Sequence, residues 1–425
     1  MRKAPAYTLI ATVCLLPLAL AKWARLPGID KKPVSMGLVL NGTIVEKASG
    51  IDGQNNLILG DPVKPVKLAA GKSEAVIKFV RQSLVKSASF VNDGLEGKVE
   101  AGLSTDGKAW STQGSAVFSP ADRLVKLDLG AAQGRYLRLQ FQVVRSGTIR
   151  GLQIFGADNE SNYTVTQNDD GSGAPVNFAS GIGGGRLIYL NPEQYSSRGE
   201  AIASSQLSFP ESDEKYRTAV YDLGQIRSLK EFSSVHSSRP VRLNVYTFDV
   251  LPEKEDWRGR LAFDASALEN ATPVASAEDT QGSGHLTIKP DKPVKTRYVA
   301  MRWEPDFNPP AFEVFNFNIG GAAVTVYNNT GFSATSSTNS SGNPVVTVTD
   351  SSGNTATITI MPNGDVVTQG FTGSTGTGGD AGGGQGGGSG GESGGNVVGG
   401  GSINITPFNG APSAGGVGAN VGVSQ

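Results

Sequence analysis

The richest group of side chains with binding chemistry lies in one charged stretch, residues 253–260. It places a tryptophan beside two arginines and an aspartate, namely Asp256, Trp257, Arg258 and Arg260. A sugar presents C–H faces that stack on an aromatic ring and hydroxyls that hydrogen-bond to charged side chains. The cluster therefore predicts a carbohydrate site. The alternative is an insertion loop whose tryptophan covers a domain interface.

A second candidate site is a basic stretch near the start of the chain. Lys64, Lys67 and Lys72 lie within nine residues of one another. Clustered lysines create a positive potential that attracts anionic ligands. The stretch predicts contact with an anionic glycan, and a solvated lysine face is the alternative.

The sequence shows none of the common motifs that mark a catalytic site. His236 and His285 have no partner at metal-ligand spacing, and there is no nucleophile elbow or phosphate-binding loop. Acidic residues cluster at 211–214 and 253–256, as the paired carboxylates of a glycosidase would, but both clusters lie in charged, insertion-like loops. We therefore expect a protein that is not an enzyme.

The N-terminus has the form of a secretory signal peptide. Arg2 and Lys3 precede an apolar run that ends in Ala19-Leu20-Ala21, a small-x-small cleavage pattern. The only cysteine, Cys14, lies inside this run, so the cleaved chain would carry no disulfide. We expect a bacterial protein that is secreted or held at the cell surface, with no transmembrane segment after cleavage. A retained N-terminal anchor is the alternative.

The charge of the chain is balanced overall but divided along its length. The formal net charge is −1, which gives no general attraction to nucleic acid. Residues 22–156 are net basic, whereas residues 157–321 are net acidic. This division favours docking of the two halves, either within one chain or by self-association between chains.

The elements that must position these residues are mostly short runs in which apolar and polar residues alternate. In residues 136–143 every second residue is apolar, which is typical of an antiparallel strand with one buried face. Many such runs separated by turn residues predict a β-sandwich or barrel. Residues 135–141, RYLRLQF, are echoed by residues 297–303, RYVAMRW. This echo predicts one domain used twice, with the second copy enlarged by insertions.

Three phrases occur in order in the first half: LSTDGKAWST at 103–112, RYLRLQF at 135–141 and GTIRGLQIFG at 147–156. They resemble the discoidin, or coagulation factor 5/8 type C, family of galactose-binding-like domains. AVYDLGQI at 219–226, RYVAMRW, and AFEVFNFNIGG at 311–321 are similar to the same family more loosely. The resemblance implies two jelly-roll β-sandwiches, the second divergent, that bind ligands through loops at one end of the sandwich.

The resemblance also bears on metal binding. The family often holds a structural Ca²⁺ near an N-terminal phrase that NLILGDP, residues 56–62, resembles. Asp61 is the one carboxylate here that matches, because Leu59 replaces the first aspartate of the phrase. The resemblance therefore implies Asp61 as a weak Ca²⁺ ligand, and no other cofactor is expected.

These observations predict an all-β chain. The expected parts are a signal peptide (1–21), a discoidin-like sandwich (34–156), a galactose-binding-like sandwich (174–321), a Ser/Thr/Asn-rich β-hairpin segment (322–370) and a low-complexity, glycine-rich disordered tail (371–425). The expected function is non-catalytic recognition of carbohydrate or another cell-surface or matrix ligand. The alternative is a structural or assembly protein of the bacterial cell envelope or extracellular matrix, held by domain–domain contacts.

Overall fold

The structure is a computed structural model of the 425-residue chain. It describes residues 23, 25–26, 35–156, 163–167, 173–192, 206–255, 259–306, 311–328, 333–349, 355–363 and 365–369. These residues form 25 strands, two short 3-10 helices (Val39–Asn41 and Gln54–Leu57) and one α-helix. The predicted all-β class is thus confirmed. The predicted signal peptide and the glycine-rich tail lie outside the described residues. None of the described helices is long and apolar enough to cross a membrane.

The first sheet contains eight strands and folds over on itself to enclose a core. Its strands are β1 (Ile44–Ser49), β2 (Ile51–Asp52), β3 (Val66–Leu68), β4 (Gly71–Asp93), β5 (Glu96–Ser104), β6 (Ser111–Phe118), β7 (Leu124–Arg145) and β8 (Gly147–Gly156). Strand β4 runs through both layers of this sandwich. Its first part pairs with β1 and β7, and its last part pairs with β7 and β8.

The hairpin between β5 and β6 shows how the sequence directs this fold. The Asp106 carboxylate accepts hydrogen bonds from the backbone N–H groups of Lys108 and Ala109, at 2.8 and 2.9 Å. These bonds favour the ionised carboxylate and lower the pKa of Asp106 to about 2. Gly107 has φ +75°, a value that glycine adopts without strain. The hairpin then places the Trp110 ring 4.5 Å from the Arg138 guanidinium.

A second sheet of nine strands follows, after strand β9 (Tyr163–Thr166). Its region contains β10 (Ala174–Asn177), β11 (Arg186–Asn191), β12 (Leu207–Phe209), β13 (Arg217–His236), β14 (Val241–Phe248), a separate hairpin of β15 (Glu253–Glu255) and β16 (Leu261–Phe263), α1 (Ser266–Asn270), β17 (Ala275–Asp279), β18 (His285–Ile288), β19 (Val294–Pro305) and β20 (Phe312–Ala323). The long strand β13 pairs with β11 and β19 at its start and with β18 and β20 at its end.

The two sheets share irregularities at corresponding places. Strand β1 has a bulge at Glu46, opposite β4, and β11 has a bulge at Ile188, opposite β13. The register between β4 and β7 shifts after Lys78, and the register between β13 and β19 shifts after Asp222. Such irregularities locally bend and twist a strand. The register shifts therefore help the long strands β4 and β13 to turn from one layer of their sandwich to the other.

A third sheet joins the end of the described chain to the segment between the two sandwiches. It contains β21 (Thr325–Asn328), β22 (Ser333–Thr338), β23 (Pro344–Thr349), β24 (Thr355–Ile360) and β25 (Val366–Gln369), with β9 on the far side of β21. Side chains attach it to both sandwiches. The Tyr163 hydroxyl donates to Asn41 Oδ1 at 3.1 Å, and Arg227 Nη1 donates to the Val165 carbonyl at 2.7 Å.

The two sandwiches also meet directly. Val91, Val235 and Phe315 form a small buried cluster across the contact. Arg123 of the first sandwich lies 2.9 Å from Asp93, donates to the His236 carbonyl at 3.4 Å, and stacks over the Phe315 ring. The contact therefore combines apolar packing with a charged side chain that reaches from one sandwich to the other.

Candidate functional site: a cleft between the sandwiches

A cavity of about 610 Å³ lies where the three sheets meet. One wall comes from residues 56–65 and from β8 of the first sandwich. The opposite wall comes from residues 173–182, β13, β18 and β20 of the second sandwich, and Ile360 adds an edge from the third sheet. We call this cavity the interdomain cleft. It has the size of a small-molecule site and occurs at a domain interface, where such sites are common.

The alternation of strand β20 places two amide side chains at the cleft. Phe317 and Ile319 belong to the main hydrophobic core, which runs through all three sheets. Since successive side chains of a strand alternate between faces, Asn316 and Asn318 lie on the other face, and both line the cleft. Their exposed fractions are only 8% and 9%. Two polar side chains are therefore buried at the bottom of the cavity.

Asn318 has an unmet hydrogen-bonding requirement. Within the described part of the chain its Oδ1 atom is buried and has no hydrogen-bond partner. Leaving a buried acceptor unsatisfied costs about 1–3 kcal/mol. A Cβ atom at Gly320 would stand 2.7 Å from Asn318 Nδ2, so glycine leaves the space that this amide occupies. The structure thus holds an unsatisfied acceptor next to the cleft, and a ligand hydroxyl would reach it once the side chains that cover it shift.

Charged side chains from both sandwiches surround these amides. Asp61 and Lys64 line the cleft from the first sandwich, and Lys230, Glu231 and Lys289 line it from the second. Burial raises the pKa of Glu231, and the Asp61 carboxylate adds to this. Lys289, whose Nζ lies 3.4 Å from Glu231, opposes the shift, and so does the more distant Lys64. The cleft therefore offers both hydrogen-bond donors and acceptors within one enclosed space.

Short loops hold these groups in place. Asp61 Oδ1 accepts the backbone N–H of Val63 at 3.0 Å, which closes a turn next to Lys64. On the opposite wall Asn177 Nδ2 donates to the Phe317 carbonyl at 2.8 Å, and Asn177 Oδ1 accepts the N–H of Ile319 at 3.1 Å. The Asn177 side chain thereby fixes residues 177–182 against β20.

The residues proposed from sequence have three different outcomes. Asp256, Trp257 and Arg258 lie outside the described residues, and Arg260 is an exposed residue just before β16. Lys64 lines the cleft. Lys67 is exposed outside the cleft, with its Nζ 3.3 Å from Asp52. The Trp257 cluster and the basic stretch therefore stay predictions, although one member of the basic stretch reaches the cavity.

The expected Ca²⁺ ligand lies at the cleft, but its surroundings are not those of a closed cation site. Calcium takes six to eight oxygen ligands, several of them carboxylates. Within the described ranges there is no cluster of three or more acidic, histidine or cysteine side chains close enough to hold a metal ion. Asp61 also uses one carboxylate oxygen to close its own turn. Calcium binding by Asp61 stays a prediction.

A serine, a histidine and an aspartate also come together inside the second sandwich. Ser234 Oγ lies 3.3 Å from His236 Nδ1, and His236 Nε2 lies 3.6 Å from Asp279 Oδ2. Ser234 and His236 are fully buried, and Ser234 Oγ accepts a hydrogen bond from Trp303 Nε1 at 3.0 Å. Burial lowers the pKa of His236 despite the nearby Asp279 carboxylate. A nucleophile must reach its substrate, so this arrangement reads as core packing.

No protein-family model and no curated protein matches this chain. Several solved structures are similar to parts of it. The C-terminal domain of a chitobiase from Bacteroides fragilis has a TM-score of 0.26 and 15% identity, covering 29% of this chain and 96% of that one. A fucolectin from Morone saxatilis has a TM-score of 0.25 and 12% identity, covering 68% and 99%. Allantoicase from Saccharomyces cerevisiae has a TM-score of 0.26 and 12% identity, covering 69% and 94%. At TM-scores this low, none of these likenesses decides the function.

Sequence reasoning missed most of the cleft. The residues it did not propose are Lys230, Glu231, Lys289, Asn316 and Asn318. One local signal was present, because two asparagines alternate with phenylalanine and isoleucine in the mostly apolar strand β20. Polar residues at alternate positions of a buried strand indicate a face that meets something polar. Which loops would lie opposite that face depends on how the two sandwiches dock.

Proposed function

We propose that this protein is a secreted, non-catalytic carbohydrate-binding protein whose ligand lies in the interdomain cleft. The observation that carries the proposal is the buried, unsatisfied Asn318 Oδ1 within a cavity lined by amides and charged groups. A sugar hydroxyl both donates and accepts hydrogen bonds. It would satisfy this oxygen while accepting from the lysine donors.

The walls of the cleft support a ligand that is polar at its edges and apolar on its faces. Leu38, Leu59 and Phe155 line the cavity together with the amides. Sugar rings present C–H groups on their faces and hydroxyls around their edges, so this mixture of walls is suitable. Enclosure strengthens each hydrogen bond because less water competes for the same groups.

We further propose that the two sandwiches are two copies of one discoidin-like domain, with the bounds given above. The shared bulges at Glu46 and Ile188 support this, as do the register shifts after Lys78 and Asp222. Bulges are kept as designed features within families. The Trp257 cluster stays a second candidate binding surface of the second copy.

A glycan array probed with the chain from residue 22 onward tests the proposal. Asn318→Leu removes the unsatisfied acceptor, so we expect it to abolish binding, whereas Trp257→Ala should leave it intact. Glu231→Gln has nearly the same shape as the native residue and provides a second cleft variant if Asn318→Leu folds poorly, as judged by circular dichroism. Lys67→Gln, outside the cleft, is the matched control. Binding to no glycan, or binding lost only in Trp257→Ala, would rule out the cleft as a sugar site.

The structural or assembly function remains the second candidate, because the basic and acidic sandwiches do dock, with Arg123 of the first donating to the His236 carbonyl of the second. That docking occurs within one chain. Sedimentation at low and high salt separates the two functions. A monomer at both salt concentrations, together with glycan binding, supports the first. Salt-sensitive assembly without glycan binding supports the second.

A further inference from the structure

Two lysines at the cleft, unlike their neighbours, have no acidic side chain within salt-bridge distance. Lys64 on the first wall and Lys230 on the second are both exposed, and neither has an ion pair or hydrogen bond to another described residue. Lys289, on the same wall as Lys230, is held by Glu231 at 3.4 Å. Lys67, outside the cleft, is held by Asp52 at 3.3 Å. The unpaired cations thus stand on opposite walls of the cavity.

The acidic groups of the cleft are already engaged. Glu231 faces Lys289, and Asp61 accepts the N–H of Val63. Three lysines and two carboxylates line the cavity, which leaves it with a net positive charge. An anion that enters between the walls would therefore meet two cations that are held in no ion pair, one of which, Lys64, is also attracted by the Glu231 carboxylate at longer range.

We infer that the cleft selects an anionic saccharide, one that carries carboxylate or sulfate groups as well as hydroxyls. This inference rests on the proposed function. A ligand hydroxyl donates to Asn318 Oδ1 at the bottom of the cleft, and the anionic group lies between the ammonium groups of Lys64 and Lys230. The acceptor Asn318 Oδ1 then has a hydrogen-bond donor, and the two ammonium groups have an anion. A neutral sugar would satisfy Asn318 and leave both lysines without one.

Two independent observations support this ligand class. The buried Oδ1 atom requires a donor, which a carboxylate or sulfate alone does not provide. The unpaired lysines favour an anion, which a neutral hydroxylated ligand does not provide. Only a molecule with both kinds of group matches the two requirements together.

The test compares a uronate oligosaccharide with its methyl ester, by titration calorimetry on the chain from residue 22 onward. The ester keeps every ring hydroxyl and removes the charge. We expect the acid to bind about tenfold more tightly than the ester, which corresponds to about 1.4 kcal/mol. The double variant Lys64→Gln/Lys230→Gln should bring both forms to the same affinity. The matched control, Lys67→Gln/Lys72→Gln, removes the same charge outside the cleft and should change affinity less than twofold.

The outcomes separate this inference from the proposed function. A parallel array of neutral, uronate, sialylated and sulfated glycans covers the other anionic classes. Binding to any anionic class that depends on Lys64 and Lys230 supports the inference. Binding to neutral glycans only, or equal losses in the two double variants, overturns the inference and leaves carbohydrate binding standing. Binding to no glycan at all overturns both.

Discussion

The bulges in β1 and β11 occupy the same place in the two sandwiches, but the side chains around them are opposite in character. In the first sandwich the bulged residue is Glu46, and its carboxylate lies 3.4 Å from the ammonium group of Lys78. In the second sandwich the bulged residue is Ile188, which is buried in an aromatic cluster that includes Tyr189 and Phe263. The backbone irregularity is the same, while the groups that fill it are ionic in one case and apolar in the other.

The difference follows from the charges on the neighbouring strands. Lys78 is 1% exposed, and Arg135 adds repulsion, so burial and that arginine both lower the pKa of Lys78. The Glu46 carboxylate offsets this cost. In the second sandwich the place of Lys78 is taken by Asp222, which pairs with Arg297 at 2.8 and 3.0 Å. That pair does not include the bulged residue, and Ile188 packs in the apolar cluster instead.

The largest expected loss of stability comes from placing a carboxylate, as at Glu46 in the first bulge, at Ile188 in the second. Ile188→Glu places a carboxylate among aromatic side chains, with an exposed fraction of only 7% at this position. We expect a loss of about 3 kcal/mol or more in the free energy of unfolding. Urea denaturation measures it, with hydrogen exchange of the β11 and β13 amides to assign the transition. Ile188→Leu, the control, should cost less than about 1.5 kcal/mol. Similar losses in both variants would show that shape matters at this bulge and charge does not.

The next effect comes from breaking the ion pair of the first bulge. Glu46→Gln leaves the buried Lys78 ammonium group without its carboxylate, and we expect a loss of about 2 kcal/mol, moderated because Glu46 is 25% exposed. Adding Lys78→Met should recover most of that loss, since the lone charge is then gone. A double-mutant cycle by urea denaturation measures the coupling. A double variant less stable than Glu46→Gln alone would contradict this account.

The pH dependence of the same pair has a definite sign. The folded-state pKa of Lys78 lies below its ordinary value of 10.5, so the unfolded chain holds its proton to higher pH than the folded chain. Between the two pKa values, stability therefore rises with pH. Lys78→Met should remove this rise. Urea denaturation of both proteins from pH 8 to pH 10.5 measures the difference.

Part of this fold could be predicted from the sequence. Period-two alternation in residues 136–143 correctly indicated strand β7, because one face of that strand is buried. The third sheet was only partly foreseen. Strands in residues 344–369 follow from alternation and turn residues, but β9 is four residues long and pairs with β21, far away in sequence. Local patterns carry no information about such a partner.

The cleft was harder to predict for a related reason. Trp257, Arg258 and Asp256 stood out because they are adjacent in sequence, whereas Lys64, Glu231 and Asn318 come from three distant segments. Their convergence depends on docking of the two sandwiches, through the apolar cluster around Phe315 and the bond from Arg123 to the His236 carbonyl. Of these three, only Asn318 carried a local signal, since it lies with Asn316 in a mostly apolar strand.

A smaller effect is expected where the two sandwiches differ at the end of their long strands. His236 ends β13, whereas Asn92 stands at the corresponding place in β4, and both are fully buried. The charged and titratable groups that face His236 are Asp279, Arg123 and His285, and burial outweighs Asp279 in lowering its pKa. Below pH 6.5 the unfolded chain takes up a proton first, so stability falls until the folded-state pKa is reached.

His236→Asn gives the second sandwich the residue type that the first has at Asn92, and it should remove the loss of stability below pH 6.5. The variant should be less stable than the parent at pH 8, because its side chain fills less of the core. Between pH 6.5 and pH 5 its stability should fall less steeply than the parent's, by up to about 1.4 kcal/mol per pH unit. Urea denaturation at several pH values measures both slopes. Parallel slopes would mean that another group causes the acid sensitivity.

The smallest effect is expected at the Asp222–Arg297 ion pair of the second sandwich, which is more exposed than the Glu46–Lys78 pair of the first. Asp222→Asn removes the carboxylate partner of Arg297, whose side chain is 41% exposed and remains hydrated. Water and salt screen such a pair, so we expect a loss of no more than about 1 kcal/mol at low salt, against about 2 kcal/mol for Glu46→Gln. At 0.5 M salt the loss at Asp222 should largely disappear, because the Debye length falls to about 4 Å. The loss at Glu46 should persist, since Lys78 is shielded from solvent. Equal salt sensitivity at the two positions would show that burial does not separate the two sandwiches in the way their geometry indicates.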